Sequence, residues 1–442
     1  MTTDLATNRE TVSSAARDRR NFGAFLADYV FFGLALAFIG QNTVLPAFVR
    51  QLTASPLLIG LNGTINTVGW LLPQLVAASY LRHKARKKRY LLIPGLVGRP
   101  AFFLLALALL LGGAQRPGFM LALTFALMAL FRITDALGAV AWFDILGKAL
   151  PSNRRGHLFG WGQILSGLFS IGAGLLINFI LGRAGPVFPQ NYAIIFLISG
   201  VIMVFSWVAE VFIYEPKSES AVEPTSSLPF RQQLIHIWRR DLNFRLFIAV
   251  RLLVGLSDLS IPFYVVFARD VLAVDEAAVG SFTSAQIVGG MVGAVILGAL
   301  YERWGGKRAV QFGVGAAAFA PIWALALPWL FPGHQSGLVY AFGLVFVALG
   351  LLQSAYMQGF YNYLLDLSPA GERSTYVALA NAINGVALAP VALTGGAILK
   401  ITNNSFVTLF AVTALAMGLG FLFTTRLHDL RHEQWAGADT LG

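Results

Sequence analysis

The sequence predicts an all-α membrane protein with twelve transmembrane helices in two pseudo-symmetric six-helix bundles. Three observations carry that prediction. Of 442 residues, 57% are hydrophobic and only 12% are charged, where a soluble chain carries about a quarter charged. Mean hydropathy is +0.68. The apolar residues fall in runs of the ~20-residue length that crosses a bilayer as a helix, and such helices satisfy their own backbone polar groups, as lipid requires.

In chain order, a polar tail covers 1–21 and carries Arg9, Arg17, Arg19 and Arg20. It lacks the short apolar core of a cleaved signal peptide, so the first helix is expected to act as the insertion signal. The first bundle spans 22–214, with helices expected at 22–45, 57–81, 90–111, 119–146, 157–181 and 191–214. A polar linker, 215–241, separates the halves. Within it Phe230, Leu234, Ile237 and Trp238 recur at helical spacing beside Arg231, Arg239 and Arg240. That pattern reads either as a short helix on the membrane surface or as a flexible linker with a few apolar residues. The second bundle spans 242–425, with helices expected at 244–268, 279–301, 309–331, 338–365, 375–400 and 405–425, and a polar tail covers 426–442.

Lys and Arg set the orientation. Twenty-four of the 32 fall on the side of the two termini, five on the other side, and Arg99, Arg132 and Arg251 lie within helices. The split places both termini in the cytoplasm, which requires an even number of crossings. The net charge of +11 is therefore topological, and no nucleic-acid partner is inferred. There is no cysteine, so thiol nucleophiles, disulfides and Fe–S clusters are excluded. All six histidines fall in expected loops or tails, no pair has metal-ligand spacing on a helix, and there is no phosphate-binding Gly-rich loop. The chain is read as a non-enzyme with no cofactor and no metal.

Two charged hairpins sit at matching points of the halves. Gly298-x-x-x-Glu302-Arg303-x-Gly305-Gly306-Lys307-Arg308 joins helices 8 and 9; Ala78-x-x-x-Arg82-His83-x-Ala85-Arg86-Lys87 joins helices 2 and 3. The pairs Ile59-Gly60 with Val279-Gly280 and Asn21-Phe22 with Asn243-Phe244 recur at offsets of 220 and 222, the mark of a parallel duplication.

On these residues the chain resembles the major facilitator superfamily of secondary transporters, over all twelve helices. The second hairpin is a close variant of the family's loop motif, with Glu for Asp; the first is degenerate, with Arg82 in place of the acid. The resemblance implies cytoplasmic gating by these loops, through Arg82, Arg86, Gly298, Glu302, Arg303, Gly305 and Arg308. Arg132-Ile-Thr-Asp135-Ala-Leu-Gly138 in helix 4 partly resembles the helix 4 motif of proton-linked members, with Asp135 where Gln is expected. The antiporter motif of helix 5 is absent.

Charges at membrane depth cost about 3 kcal/mol each on insertion scales and face a cavity or a partner. Three acids, Asp28, Asp135 and Asp258, and three bases, Arg99, Arg132 and Arg251, are expected inside helices, and their charges cancel. Arg132 and Asp135 are i, i+3 neighbours. Arg251 and Asp258 lie two turns apart on one face. Arg99-Pro100 is expected to mark a kinked, water-exposed point. Asp28 or Asp135 is the expected proton or cation site, with Arg132 as the group that controls it; fixed interhelical ion pairs are the structural alternative. Asn62, Asn66, Trp70 and Gln74 step by four along helix 2, and Gln286 in helix 8 aligns with Asn66. Asn62, Asn66 and Gln286 are the expected lining of a transport path.

The function read from the sequence is secondary active transport of a small organic solute by alternating access, with proton-coupled efflux first and a nutrient importer or uniporter, or a non-transporting receptor or scaffold on the same fold, as alternatives. The expected partners are the solute, protons and membrane lipids; the expected state is a monomer in a bacterial cytoplasmic (inner) membrane.

Overall fold

A computed structural model describes residues 2–81, 84–216, 230–331, 337–369 and 372–429. Every regular element among them is helical: α1 Thr2–Ile39, α2 Val44–Leu52, α3 Pro56–Leu81, α4 Lys88–Gly98, α5 Ala101–Leu110, α6 Pro117–Ala149, α7 Ser152–Leu181, α8 Gln190–Val211, α9 Phe230–Arg240, α10 Leu242–Gly255, α11 Tyr264–Asp270, α12 Ala278–Leu330, α13 Leu338–Ala355, α14 Asn362–Leu367, α15 Arg373–Leu388, α16 Val391–Ile401 and α17 Phe406–Thr425. Ten helical stretches are long and apolar enough to cross a membrane. One of them, α12, is two helices joined across a kink at Gly305, and α3 adds a further apolar helix of 26 residues. Large apolar side chains lie open on these helices, such as Leu110, Val295 and Leu415. In water that would be unfavourable; against lipid tails it is the favoured arrangement.

Local chemistry explains the helix starts. Asp241 accepts the Phe244 amide at 2.8 Å at the head of α10, and Ser405 accepts the Thr408 amide at the head of α17. Pro117 opens α6, where its missing N–H costs nothing.

Five expected helices are interrupted, each for a local reason; the eleventh parts at Ala389-Pro390, between α15 and α16. The first, expected to run unbroken over 22–45, begins much earlier and stops at Ile39, because Gly40 takes a left-handed conformation (φ +51°). The chain restarts as α2, with Pro46 in its first turn. Asp28 is thus far deeper in its helix than a start at 22 placed it. The third breaks at Arg99-Pro100 between α4 and α5, since proline supplies no amide. The seventh breaks into 3₁₀ turns over Leu256–Leu259 and Ile261–Phe263 around Pro262. The tenth contains a π-helical turn, Tyr356–Tyr361. Histidines 157 and 236, expected in loops, lie instead in α7 and α9.

The chain packs as two compact units: Met1–Ile39, Pro73–Ala173 and Val187–Glu223 in one; Gly40–Leu72, Gly174–Pro186 and Pro224–Gly442 in the other. In unit 1, Phe25, Trp142, Ile145, Leu158 and Ile213 form a buried cluster, with the Phe25 and Trp142 rings edge to face at 5.2 Å. In unit 2, Phe244, Phe247, Phe360 and Tyr363 do the same. There α12 lies on α13 with almost no side-chain spacing. A Cβ at Gly289 would come within 2.1 Å of the Val347 carbonyl, and one at Gly350 within 2.0 Å of the Gln286 carbonyl. Only glycine permits that approach.

Candidate functional site

Within unit 1, four helices bring charge to one buried point. Asp28 on α1 accepts a hydrogen bond from Trp142 Nε1 on α6 at 2.7 Å and one from Ser206 Oγ on α8 at 2.5 Å. The edge-on packing of Phe25 holds the Trp142 ring in that pose. Arg99, at the α4–α5 break, lies 3.8 Å from Asp28 and donates to Glu210 Oε1 on α8 at 2.6 Å. Its second amino group reaches the Met203 carbonyl at 3.4 Å, and its plane sits 5.8 Å from the Phe32 ring. Arg132 and Asp135 meet at 3.3 Å on α6. Asp135 is within electrostatic reach of Arg99, Asp28 and Glu210. Asp28, Arg99 and Glu210 are 4%, 8% and 3% exposed.

Two expectations change here. Arg99 marks a kink, as its proline neighbour suggested, but it is buried and paired, not open to water. The balance of three acids against three bases also fails, because Glu210 is a further buried acid. It stands four residues before Tyr214, the expected end of its helix, where a carboxylate reads as part of a boundary. Its position one turn beyond Ser206 on the same α8 face was the available signal. The buried cluster of unit 1 therefore holds three carboxyl groups, Asp28, Asp135 and Glu210, against two guanidinium groups, Arg99 and Arg132. Glu210 Oε2 is buried with no hydrogen-bond partner among the described residues.

Unit 2 holds the other intramembrane charges in a different arrangement. Asp258 sits in the first 3₁₀ turn of the broken helix, and the Thr67 hydroxyl on α3 approaches it at 3.5 Å. Arg251, on α10, lies 6.0 Å from the Phe247 ring. Tyr356, at the start of the π turn, is within electrostatic reach of both. Asn62 on α3 is buried and its Oδ1 finds no partner among the described residues. Asn66 is half-buried one turn on, and Gln286 is half-buried on α12. An open, almost wholly apolar groove of about 460 Å³ lined by Phe312, Phe319, Leu351 and Phe421 shares no residue with either cluster.

The two charged hairpins are held by motif residues together with partners outside the motifs. Arg82 lies outside the described residues, and Arg86 is exposed. The first hairpin is fixed instead by Lys87, which donates to Asp144 at 2.7 Å, and by Glu215, whose carboxylate accepts the Lys87 and Lys88 amides at 2.7 to 2.9 Å. That carboxylate caps the first turn of α4, where a negative charge meets the positive end of the helix dipole. In the second hairpin Gly305 adopts φ +79°, ψ 175°, a region essentially closed to other residues. Tyr301 donates to Asp366, and Lys307 donates to the Thr425 carbonyl at 2.9 Å. Gly298 packs near Gln358. Glu302, Arg303 and Arg308 are exposed; Arg308 donates to Gln311 at 3.2 Å, and Glu302 makes no ion pair among the described residues.

Comparison with curated protein sequences finds no match. Among solved structures the fold is similar to the nucleoside transporter NupG (TM-score 0.66, 10% identity, covering 93% of this chain and 99% of that one). It is also similar to a D-xylose-proton symporter (TM-score 0.65, 16% identity, 95% and 98%), and to a POT family transporter in complex with 5-aminolevulinic acid (TM-score 0.64, 12% identity, 92% and 96%). At these identities the likeness is one of fold. The sequence itself matches the family described as Major Facilitator Superfamily over residues 30–389 and again over 246–439. The apolar helices and that match identify an integral membrane protein, and the chain belongs to the Major Facilitator Superfamily.

Proposed function

We propose that the protein is a secondary active transporter that moves a small organic solute by alternating access, coupled to protons, with efflux as its direction. The observation that supports coupling is the unequal charge of the unit 1 cluster. Three buried carboxyl groups face two guanidinium groups, and an unpaired charge in such a place is strongly unfavourable. One proton on the cluster restores neutrality. Asp28 and Glu210 share Arg99 as a partner, so the proton resides on whichever acid Arg99 is not engaging. A conformational change that moves Arg99 from one acid to the other moves the proton with it. Arg132 and Asp135 form a neighbouring pair that sets the local potential.

In this reading Asn62, Asn66 and Gln286 line the solute path, and the hairpins containing Arg82, Arg86, Gly298, Glu302, Arg303, Gly305 and Arg308 gate its cytoplasmic side. The 24-to-5 division of cations supports cytoplasmic termini, in the cytoplasmic membrane of a bacterium. The protein acts as a monomer and makes or breaks no covalent bond of its solute. The fold is similar to those of a nucleoside transporter, a D-xylose-proton symporter and a POT family transporter in complex with 5-aminolevulinic acid, and such small polar solutes form the first panel to try. The test is flux in proteoliposomes with and without an imposed pH gradient. Accumulation that follows the gradient in sign and size is the expected result; flux indifferent to the gradient removes proton coupling, and the sign of the response decides between efflux and import.

A further inference from the structure

We propose that Arg251 and Asp258 form a two-point site for an amphoteric solute, one that carries a cationic and an anionic group at opposite ends. The site deepens the transport reading by naming a solute class, and it rests on that reading for its role in the cell.

The argument begins with the contrast between the two units. In unit 1 each buried charge has an ion partner: Arg99 with Asp28 and Glu210, Arg132 with Asp135. In unit 2 the two opposite charges stand on one broken helix and are not joined. Among the described residues no acid lies within ion-pair distance of Arg251, and no base within that distance of Asp258. Apart from Tyr356, Arg251 has the Phe247 ring at 6.0 Å and Asp258 the long Thr67 contact of 3.5 Å. Keeping two opposite charges inside a membrane protein without pairing them is unfavourable on both counts. A bound molecule that supplies the missing counter-charges removes both penalties together.

The backbone explains why the charges do not meet. Arg251 lies four residues before the end of α10, and Asp258 sits seven residues on, past the change to 3₁₀ geometry at Leu256. At 1.5 Å per residue, rising to about 2 Å in the 3₁₀ turn, their backbones stand about 11 to 12 Å apart. Tyr356 is within electrostatic reach of both. Irregular backbone at membrane depth is tolerated where it is buried in protein or lines a cavity, and Asp258 is half-buried, so water or a solute can reach it. A solute that joins the two points places a carboxylate against Arg251, whose planar fork suits that group, and an ammonium against Asp258. The separation favours an extended molecule with its charges several bonds apart over an α-amino acid.

Detergent-purified full-length protein and its Asp258→Asn and Arg251→Gln variants are titrated calorimetrically with 4-aminobutyrate, 6-aminohexanoate, glycine, butylamine and butyrate. Each variant is first checked to be monodisperse with a melting profile close to that of the parent. The parent is expected to bind the ω-amino acids at least tenfold more tightly than glycine or either single-charge analogue. Asp258→Asn should lower ω-amino acid and butylamine affinity tenfold or more and leave butyrate unchanged; Arg251→Gln should do the reverse for the two analogues. A parent that prefers neither amphoteric compound, or variants that weaken all compounds equally, overturns the proposal. Should one variant fail to fold, the other with the two analogues still discriminates. Counterflow of the same compounds is measured separately. Charge-selective binding without counterflow removes the transport reading and leaves the site; counterflow of uncharged solutes, untouched by either variant, leaves transport and removes the site.

Discussion

Replacing Glu210 with Gln separates the structural role of the unit 1 cluster from its proposed role in coupling. The Arg99–Glu210 contact is 2.6 Å and both side chains are at most 10% exposed. With charge centres about 4 Å apart and an effective dielectric of about 20, their attraction is about 4 kcal/mol. Most of that is offset by the loss of hydration, and the mutual repulsion of Glu210 and Asp28 offsets more. The glutamine carbonyl can still accept from Arg99, and two carboxylates then face two guanidinium groups. Glu210→Gln is therefore expected to change stability by no more than about 1 kcal/mol. Arg99→Met, by contrast, strips the same acids of their shared cation and should cost about 3 to 5 kcal/mol. Coupling should respond in the opposite order of severity. One proton per solute permits about a tenfold solute gradient per pH unit, the equivalent of about 1.4 kcal/mol. In Glu210→Gln the cluster needs no proton, so accumulation should collapse to the equilibrium ratio of one while counterflow persists. The assay is concentrative flux in proteoliposomes at an imposed difference of one pH unit, paired with counterflow and a thermal melt. Retention of the parent's gradient by Glu210→Gln, or a melt as damaged as that of Arg99→Met, would refute the reasoning.

Further tests bear on the frame around the site. Glu215→Gln removes the charge that caps α4 and should lower stability by about 1 kcal/mol in a detergent melt; an unchanged melt would mean water replaces the cap. Gly305→Ala forces a side chain into a conformation closed to it and should cost about 1 to 3 kcal/mol, again read as melting temperature. Gly350→Val must push α12 away from α13 and should abolish a monodisperse peak on size exclusion, whereas Gly315→Ala, which meets open space, should leave it intact. The Arg50–Asp270 pair at 2.8 Å is about a third exposed on each side, so Arg50→Ala should shift stability by less than about 1 kcal/mol, with the parent's small advantage fading as salt is raised.

Much of the fold was legible because hydropathy and charge operate over whole segments. A run of apolar residues the width of a bilayer has few other destinies, and the duplicated hairpins located the repeat. Single residues carry a weaker signal. Gly40 and Pro262 interrupt helices that the apolar pattern alone extends, since the pattern does not register backbone geometry. Glu210 was hidden by its nearness to a helix end, where a carboxylate commonly reaches water; only packing against Arg99 reveals that it does not. Lys87 and Glu215 were hidden for the converse reason: they belong to segments rich in charge, and nothing local separates a buried cation from its exposed neighbours. Arg251 and Asp258 could be seen as charges two turns apart, but the change of helical pitch between them could not, because it depends on backbone geometry.

The π turn at Tyr356–Tyr361 has a consequence for how unit 2 can deform. Such a turn holds one residue of slack within an otherwise tight helix. If it relaxed to regular pitch, everything beyond it would screw forward by about 1.5 Å and about 100°. Tyr363, stacked on Phe247 at 5.5 Å, and Asp366, held by Tyr301, both lie downstream. Neither contact survives such a rotation. Two anchors at one end thus keep the slack from running out, and the Tyr356 ring beside Arg251 and Asp258 stays in register only while they hold. Losing the Tyr301 hydroxyl would then be felt as a change in how that ring is presented, at a distance from the hydroxyl itself.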